Sequence, residues 1–245
     1  MRRAAVFSGG GARCFAQLGF MDELYERGIE FEAFSGSSGG AVAAALLAKG
    51  YTPKEALEAF EGIDFKKISF NLFNGTIFCH KKMKTELIKL GLDDFENLKK
   101  RLFVAVTEYE APNTRYIRHG DLAQALLAST ALLPLFCPVE LEDGLYIDGG
   151  LSDNLPVTPV KDYEYILSIN VNPLKVGFKR TLLGNFKRAG YIMLNANIKR
   201  SIPLSTEYVE IYETINYGIL ERKKFKEIFA IGQDYAKKRF LKEER

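Results

Sequence analysis

Short apolar runs alternate along this chain with longer stretches whose apolar residues recur every three or four positions. Ala4-Ala5-Val6-Phe7 is bounded by Arg2-Arg3 and Ser8-Gly9, the signature of a buried strand between breakers. Phe15, Leu18, Met21, Leu24 and Tyr25 follow at helical spacing, and a second short apolar run then leads into glycines. The same pattern predicts strands near residues 4–7, 32–34, 102–107, 115–117, 146–147 and 165–171. It predicts helices near 12–26, 39–49, 53–60, 82–90 and 122–129. Thr52-Pro53-Lys54-Glu55 is a helix start in its own right, with a capping threonine, proline in the first turn and a glutamate reaching back. Strands alternating with helices call for an α/β fold with a mainly parallel sheet, its functional groups at the carboxyl ends of the strands. With no internal repeat, linker or low-complexity stretch, residues 1–245 are expected to form a single domain.

Two stretches fit this scheme less well. Residues 60–78 scatter Phe65, Phe70, Phe73 and Phe78 among Asn71, Asn74 and Gly75, which suits a lid or acyl channel as well as a core connection. Residues 175–200 place Phe178, Leu182, Leu183 and Phe186 among Lys179, Arg180, Lys187 and Arg188. A surface helix with its apolar stripe on the core is the expectation there, and peripheral docking on an anionic membrane is the second reading.

Composition narrows the field. A hydrophobic content of 47% over 245 residues supplies one substantial core. A net charge of +3 is too small to call for nucleic acid. Three cysteines without close spacing fit reduced thiols and a cytoplasmic location. The apolar stretch after Arg2-Arg3 ends at Phe7, too soon for a signal peptide. No apolar run approaches the roughly 20 residues needed to span a bilayer. Oligomeric state leaves no mark on the sequence.

The candidate chemistry begins at Gly36-Ser37-Ser38-Gly39-Gly40, between a strand and a helix. A Gly-x-Ser-x-Gly elbow holds its serine in strained backbone above a sheet, and only Ser38 has glycine on both sides at that spacing. Upstream, Gly9-Gly10-Gly11 opens the first helix, where free amides suit an anion. Nucleotide phosphate is one occupant, but Cys14 stands where a dinucleotide loop needs its third glycine. The oxyanion of an acyl intermediate is the more economical occupant beside a nucleophile. Histidine is scarce: His80 and His119 both precede Asp148, so no histidine follows it to complete a triad in the order Ser, Asp, His. Leu145-Tyr146-Ile147-Asp148-Gly149-Gly150 ends a strand in an acid followed by glycines that admit another backbone, so Asp148 is a partner for Ser38.

Gly9-Gly10-Gly11-Ala12-Arg13, Gly36-x-Ser38-x-Gly40 and Asp148-Gly149-Gly150 with Asn154 and Pro156 together resemble the patatin-like phospholipase family. Ala128-Ser129-Thr130-Ala131 with Pro134 and Pro138 is similar as well, and residues 225–236 resemble the family's closing helix. The resemblance implies a three-layer α/β/α hydrolase that cleaves lipid acyl esters with a Ser–Asp dyad, without metal or cofactor. It makes Ser38 the nucleophile, Asp148 the general base, Gly9, Gly10 and Gly11 the oxyanion hole, and Arg13 its basic neighbour. Cys14 departs from the glycine usual in the family. Acyl transfer on the same fold, or a lipid- or nucleotide-binding module without catalysis, stand as alternatives.

Overall fold

The computed structural model describes residues 1–63, 69–70, 76–79, 81–174, 176–177 and 179–243. Its first half runs β1 (Arg3–Phe7), α1 (Phe15–Glu26), β2 (Ala33–Ser37), α2 (Gly39–Lys49), α3 (Pro53–Glu61), β3 (Ser69–Phe70), β4 (Phe78–Cys79), α4 (Lys84–Lys89) and β5 (Arg101–Glu108). There follow β6 (Thr114–Ile117), α5 (Leu122–Ser129), β7 (Val139–Leu141), β8 (Gly144–Asp148), β9 (Tyr165–Asn170), α6 (Leu182–Ser201), β10 (Glu207–Glu210) and α7 (Phe225–Glu243). The expected lid at 60–78 lies largely outside the described residues, as do His80, Lys175 and Phe178.

The main sheet has the order β10-β9-β1-β2-β5-β8-β7, with β6 also paired to β5. From β10 to β5 all pairs are parallel. Beyond β5 the pairing turns antiparallel. Successive side chains of β1 point to opposite faces. Ala5 and Phe7 join the larger core with α1, α2, α5 and α7, whereas Ala4 and Val6 join a smaller one with Leu155, Val157, Val160 and Ile198 of α6. The fold is therefore layered, with helices over both faces of a mixed sheet, and the α/β expectation holds.

The antiparallel edge was not foreseen. β7 and β8 form a tight hairpin pairing Leu141 with Gly144. Its turn is Glu142-Asp143, and Gly144 has φ +156°. At the other end of β8, Asp148 is followed by a 3-10 turn at Gly149–Leu151. The predicted helix at 12–26 divides into a tight 3-10 turn at Gly11–Cys14 and α1 proper.

α1 and α7 cross at a distance that only glycines permit. A methyl on Gly19 would lie 1.9 Å from the Phe229 carbonyl oxygen, and one on Gly232 would lie 1.9 Å from that of Ala16. Backbone meets backbone at both points, and Gln233 Nε2 donates to Asp22 beside them at 2.8 Å.

Candidate active site

Ser38 joins the end of β2 to the start of α2 with φ 51° and ψ −129°. It is the one non-glycine residue with positive φ among the described residues. Such backbone costs about 1–3 kcal/mol and persists only where the surroundings impose it. Here they do. The Ser38 amide donates to Ser129 Oγ at 2.9 Å, and that hydroxyl donates to the Ala105 carbonyl at 2.7 Å. A methyl at Gly36 would come within 2.7 Å of the Ala41 backbone, and one at Gly40 within 2.4 Å of the Ser8 carbonyl oxygen. Both glycines flanking Ser38 are therefore sterically required, as the pentapeptide implied.

β5 serves as the ruler that brings the second residue in. Its Ala105 pairs with Ser37, and the next residue, Val106, pairs with Asp148 at the end of β8. A parallel strand and an antiparallel one thus deliver their ends to neighbouring positions of one template. Ser38 Oγ donates to Asp148 Oδ2 at 2.7 Å. The other carboxylate oxygen, Oδ1, accepts from the Gly150 amide at 2.8 Å. Thr107 Oγ1 donates to the Asp148 carbonyl at 2.8 Å, and the Asp148 amide donates to Ala131 O at 3.1 Å. Burial pushes the Asp148 carboxyl up to about 6, and the bonds from Ser38 and Gly150 pull it back only in part.

The glycine loop lies beside this pair and is held from below. The Gly9 amide donates to the Asn154 carbonyl at 3.1 Å, and the Gly9 carbonyl accepts from Asn172 Nδ2. This corrects the expectation for Gly9, whose N–H is committed to the loop after β8 and has none to spare for an anion. Among the described residues, nothing accepts from the amides of Gly10 and Gly11. Arg13 lines the cavity at this site, as a basic neighbour of the glycine loop. Its buried guanidinium donates to Tyr217 O at 2.8 Å, to Tyr191 Oη at 3.0 Å and to Asn172 Oδ1 at 3.4 Å. Arg13 thus ties the loop to segments far downstream while its positive charge stays beside the cavity.

Cys14 is buried with its thiol on the Ser8 carbonyl at 3.5 Å. Burial pushes that thiol far above its usual range, so it holds no thiolate for nucleophilic attack. His119 is exposed in the turn after β6 and does not line the cavity. His80 lies outside the described residues.

The pair opens into a cavity of about 840 Å³. Gly10, Gly11, Ser38 and Asp148 form its polar floor, and its walls are mostly aliphatic and aromatic. Val42, Leu126, Leu127, Leu133, Phe136 and Leu194 are among these apolar lining residues. A few polar groups in a mainly apolar cavity are the general make-up of a site for a largely apolar ligand.

Sequence reasoning missed several supporting residues. Ser129 was noticed only through the resemblance, and its hydrogen bond to the Ser38 amide depends on α5 docking against β5. Asn172, Asn197 and Tyr191 carry no local signal, because their roles arise from contacts more than 40 positions away.

The sequence profile of the Patatin-like phospholipase family matches residues 5–161. An uncharacterized NTE family protein of Mycobacterium bovis is 31% identical over 157 residues, which are 62% of this chain and 27% of that protein. A lysophospholipase NTE1 of Scheffersomyces stipitis is 24% identical over 277 residues, covering 96% of this chain and 18% of that protein. The chain therefore spans well under half the length of these curated relatives. Among solved structures, VipD from Legionella pneumophila superposes with a TM-score of 0.54 at 16% identity, over 94% of this chain and 66% of that one. That likeness is one of fold.

Proposed function

Given that this chain belongs to the patatin-like phospholipase family, we propose that it is a serine acyl-ester hydrolase acting on lipids, of phospholipase A or lysophospholipase type. The observation that carries the proposal is the 2.7 Å hydrogen bond from Ser38 Oγ to Asp148 Oδ2 at the floor of an apolar cavity.

In this mechanism Ser38 Oγ attacks the ester carbonyl carbon while its proton passes to Asp148 Oδ2. The carbonyl oxygen gains negative charge beside Gly10 and Gly11, whose amides have no acceptor among the described residues and would donate to it. The free amides at the start of α2 add a favourable dipole at the nucleophile. Collapse of the tetrahedral intermediate expels the alcohol, which takes the proton from Asp148 and leaves the acyl group on Ser38. Water then attacks the acyl carbon, with Asp148 taking its proton, and Ser38 regains a proton as the fatty acid leaves.

An aspartate at its ordinary value of about 3.8 is a weak base. Raised to about 6, Asp148 holds a proton more readily yet remains ionised at neutral pH, which suits a group that must accept and return one.

A serine-reactive fluorophosphonate tests the proposal. One adduct on Ser38, together with hydrolysis of phospholipids, lysophospholipids or nitrophenyl esters that Ser38→Ala abolishes, is the expected outcome. Absence of both labelling and ester turnover would overturn it.

A further inference from the structure

α6 changes character along its length. Its C-terminal half is built into the protein: Asn195, Asn197, Ile198 and Ser201 are buried. Asn197 accepts from the Asn154 amide at 2.9 Å and donates to the Gly150 carbonyl at 3.0 Å. The stretch from Leu182 to Met193 is mostly exposed, with Tyr191 held by Arg13. Leu182, Leu183, Phe186 and Met193 are 78, 65, 69 and 70% exposed, where an amphipathic helix would ordinarily lay such a stripe on the core. The expectation that this stripe packs inward therefore fails over the first three turns.

The exposed stripe lies at the mouth of the cavity. Met193 belongs both to it and to the lining, and Lys187, Gly190 and Tyr191 also line the cavity. Leu151 and Leu220, two further lining residues, are themselves about half exposed at the opening. An apolar rim is thus continuous with an apolar chamber.

Charge separates the possible occupants. Between Glu164 and Glu207 the sequence has no acidic residue, yet it holds Lys175, Lys179, Arg180, Lys187, Arg188, Lys199 and Arg200. The whole chain carries only +3, so the rest of it is net acidic. A single-sign basic segment around protruding apolar side chains matches a surface of anionic headgroups over hydrocarbon.

We propose that the exposed half of α6, with Leu151 and Leu220, docks on the anionic face of a phospholipid membrane and holds the cavity mouth against it. The inference rests on the lipid-hydrolase reading for what enters the cavity; the docking itself does not require turnover. Leu182 and Phe186 enter the acyl boundary, and Lys179 and Arg180 approach the headgroups.

Cosedimentation of Ser38→Ala protein with vesicles tests this without consuming the lipid. Phosphatidylcholine vesicles containing phosphatidylglycerol should bind the protein, and phosphatidylcholine alone should bind it far less. High salt should weaken the binding. Each basic residue near such a surface contributes roughly fivefold, so Lys179→Glu with Arg180→Glu should lower partitioning by at least about tenfold. Leu182→Glu with Phe186→Glu should lower it comparably. The same pairs in the Ser38 protein should hydrolyse a short-chain soluble ester as the parent does, which also checks their folding. Failure to bind anionic vesicles, equal binding to neutral ones, or partitioning unaltered by either pair would overturn the docking, with a protein partner then the occupant to seek. If docking behaves as expected while no acyl ester is turned over, the docking stands and the hydrolase reading falls.

Discussion

Asp148 and Asp153 stand at the two ends of one turn, and burial pushes the carboxyl of each above the usual range. Their surroundings differ in one respect. Asp148 meets a serine hydroxyl at an open cavity and keeps the rest of its shell to backbone. Asp153 meets the Tyr116 hydroxyl at 2.7 Å and the Ser201 hydroxyl at 3.3 Å, tying β6 and α6 to the turn. Residue type and burial are shared, so neither accounts for chemistry. What separates the proposed base from a brace is whether the group donating to it lines the cavity.

The strongest way to break this contrast is by substitution at the dyad. Ser38→Ala and Asp148→Asn should each reduce ester turnover by about 10⁴–10⁶-fold, and the double variant should be scarcely worse, since a catalytic unit is non-additive. Asp153→Asn should stay within about tenfold of the parent. Turnover of a nitrophenyl ester checks all four, and a collapse in Asp153→Asn would erase the distinction.

The pH profile sharpens it further. The mechanism needs ionised Asp148, so kcat/KM should rise about tenfold per pH unit up to roughly 6 and level off above. The residual activity of Asp148→Asn should show no such inflection.

Stability should move opposite to activity. The folded state binds the Asp148 proton more tightly than the unfolded chain, so the stabilisation from the neutral form is complete below about pH 4. It is lost as pH rises through about 6, leaving a cost of up to about 3 kcal/mol at pH 8. Asp148→Asn should therefore be more stable than the parent at pH 8, with the difference vanishing near pH 4 in urea titrations. The smallest effect is expected at the brace. Asp153→Ala strands two hydroxyls and should cost about 1–3 kcal/mol in the same titration while turnover persists.

How far all this could be read in advance follows from the range of the forces involved. The elbow was legible because its sterics are local: the glycines at 36 and 40 are needed within one turn of chain. The parallel strands were legible because burial on both faces makes short runs such as Ala4-Ala5-Val6-Phe7 uniformly apolar. β7 and β10 were not, being three and four residues long and partly polar at the sheet's flanks. The pairing of Gly9 with Asn154 and the inward anchoring of Arg13 were equally hidden, since each depends on a partner far downstream. Periodicity located the apolar stripe of α6, but it cannot say whether anything lies over that stripe.

The glycine crossing of α1 and α7 also bears on time. α1 begins at the glycine loop, and that loop leans on Tyr217 through Arg13 and on Ile219 through the Ala12 amide. Ser38 and Asp148, the proposed nucleophile and base, have both been synthesised by residue 148, yet the supports of the glycine loop and the helix clamped at Gly232 emerge some 70 to 85 residues later. Contacts of such long sequence separation form late. A nascent chain should therefore carry Ser38 and Asp148 through much of its synthesis without a finished site, and acquire activity only once α7 is free to settle on α1. Fluorophosphonate labelling of ribosome-stalled chains of increasing length would show the reactivity of Ser38 switching on after α7 emerges.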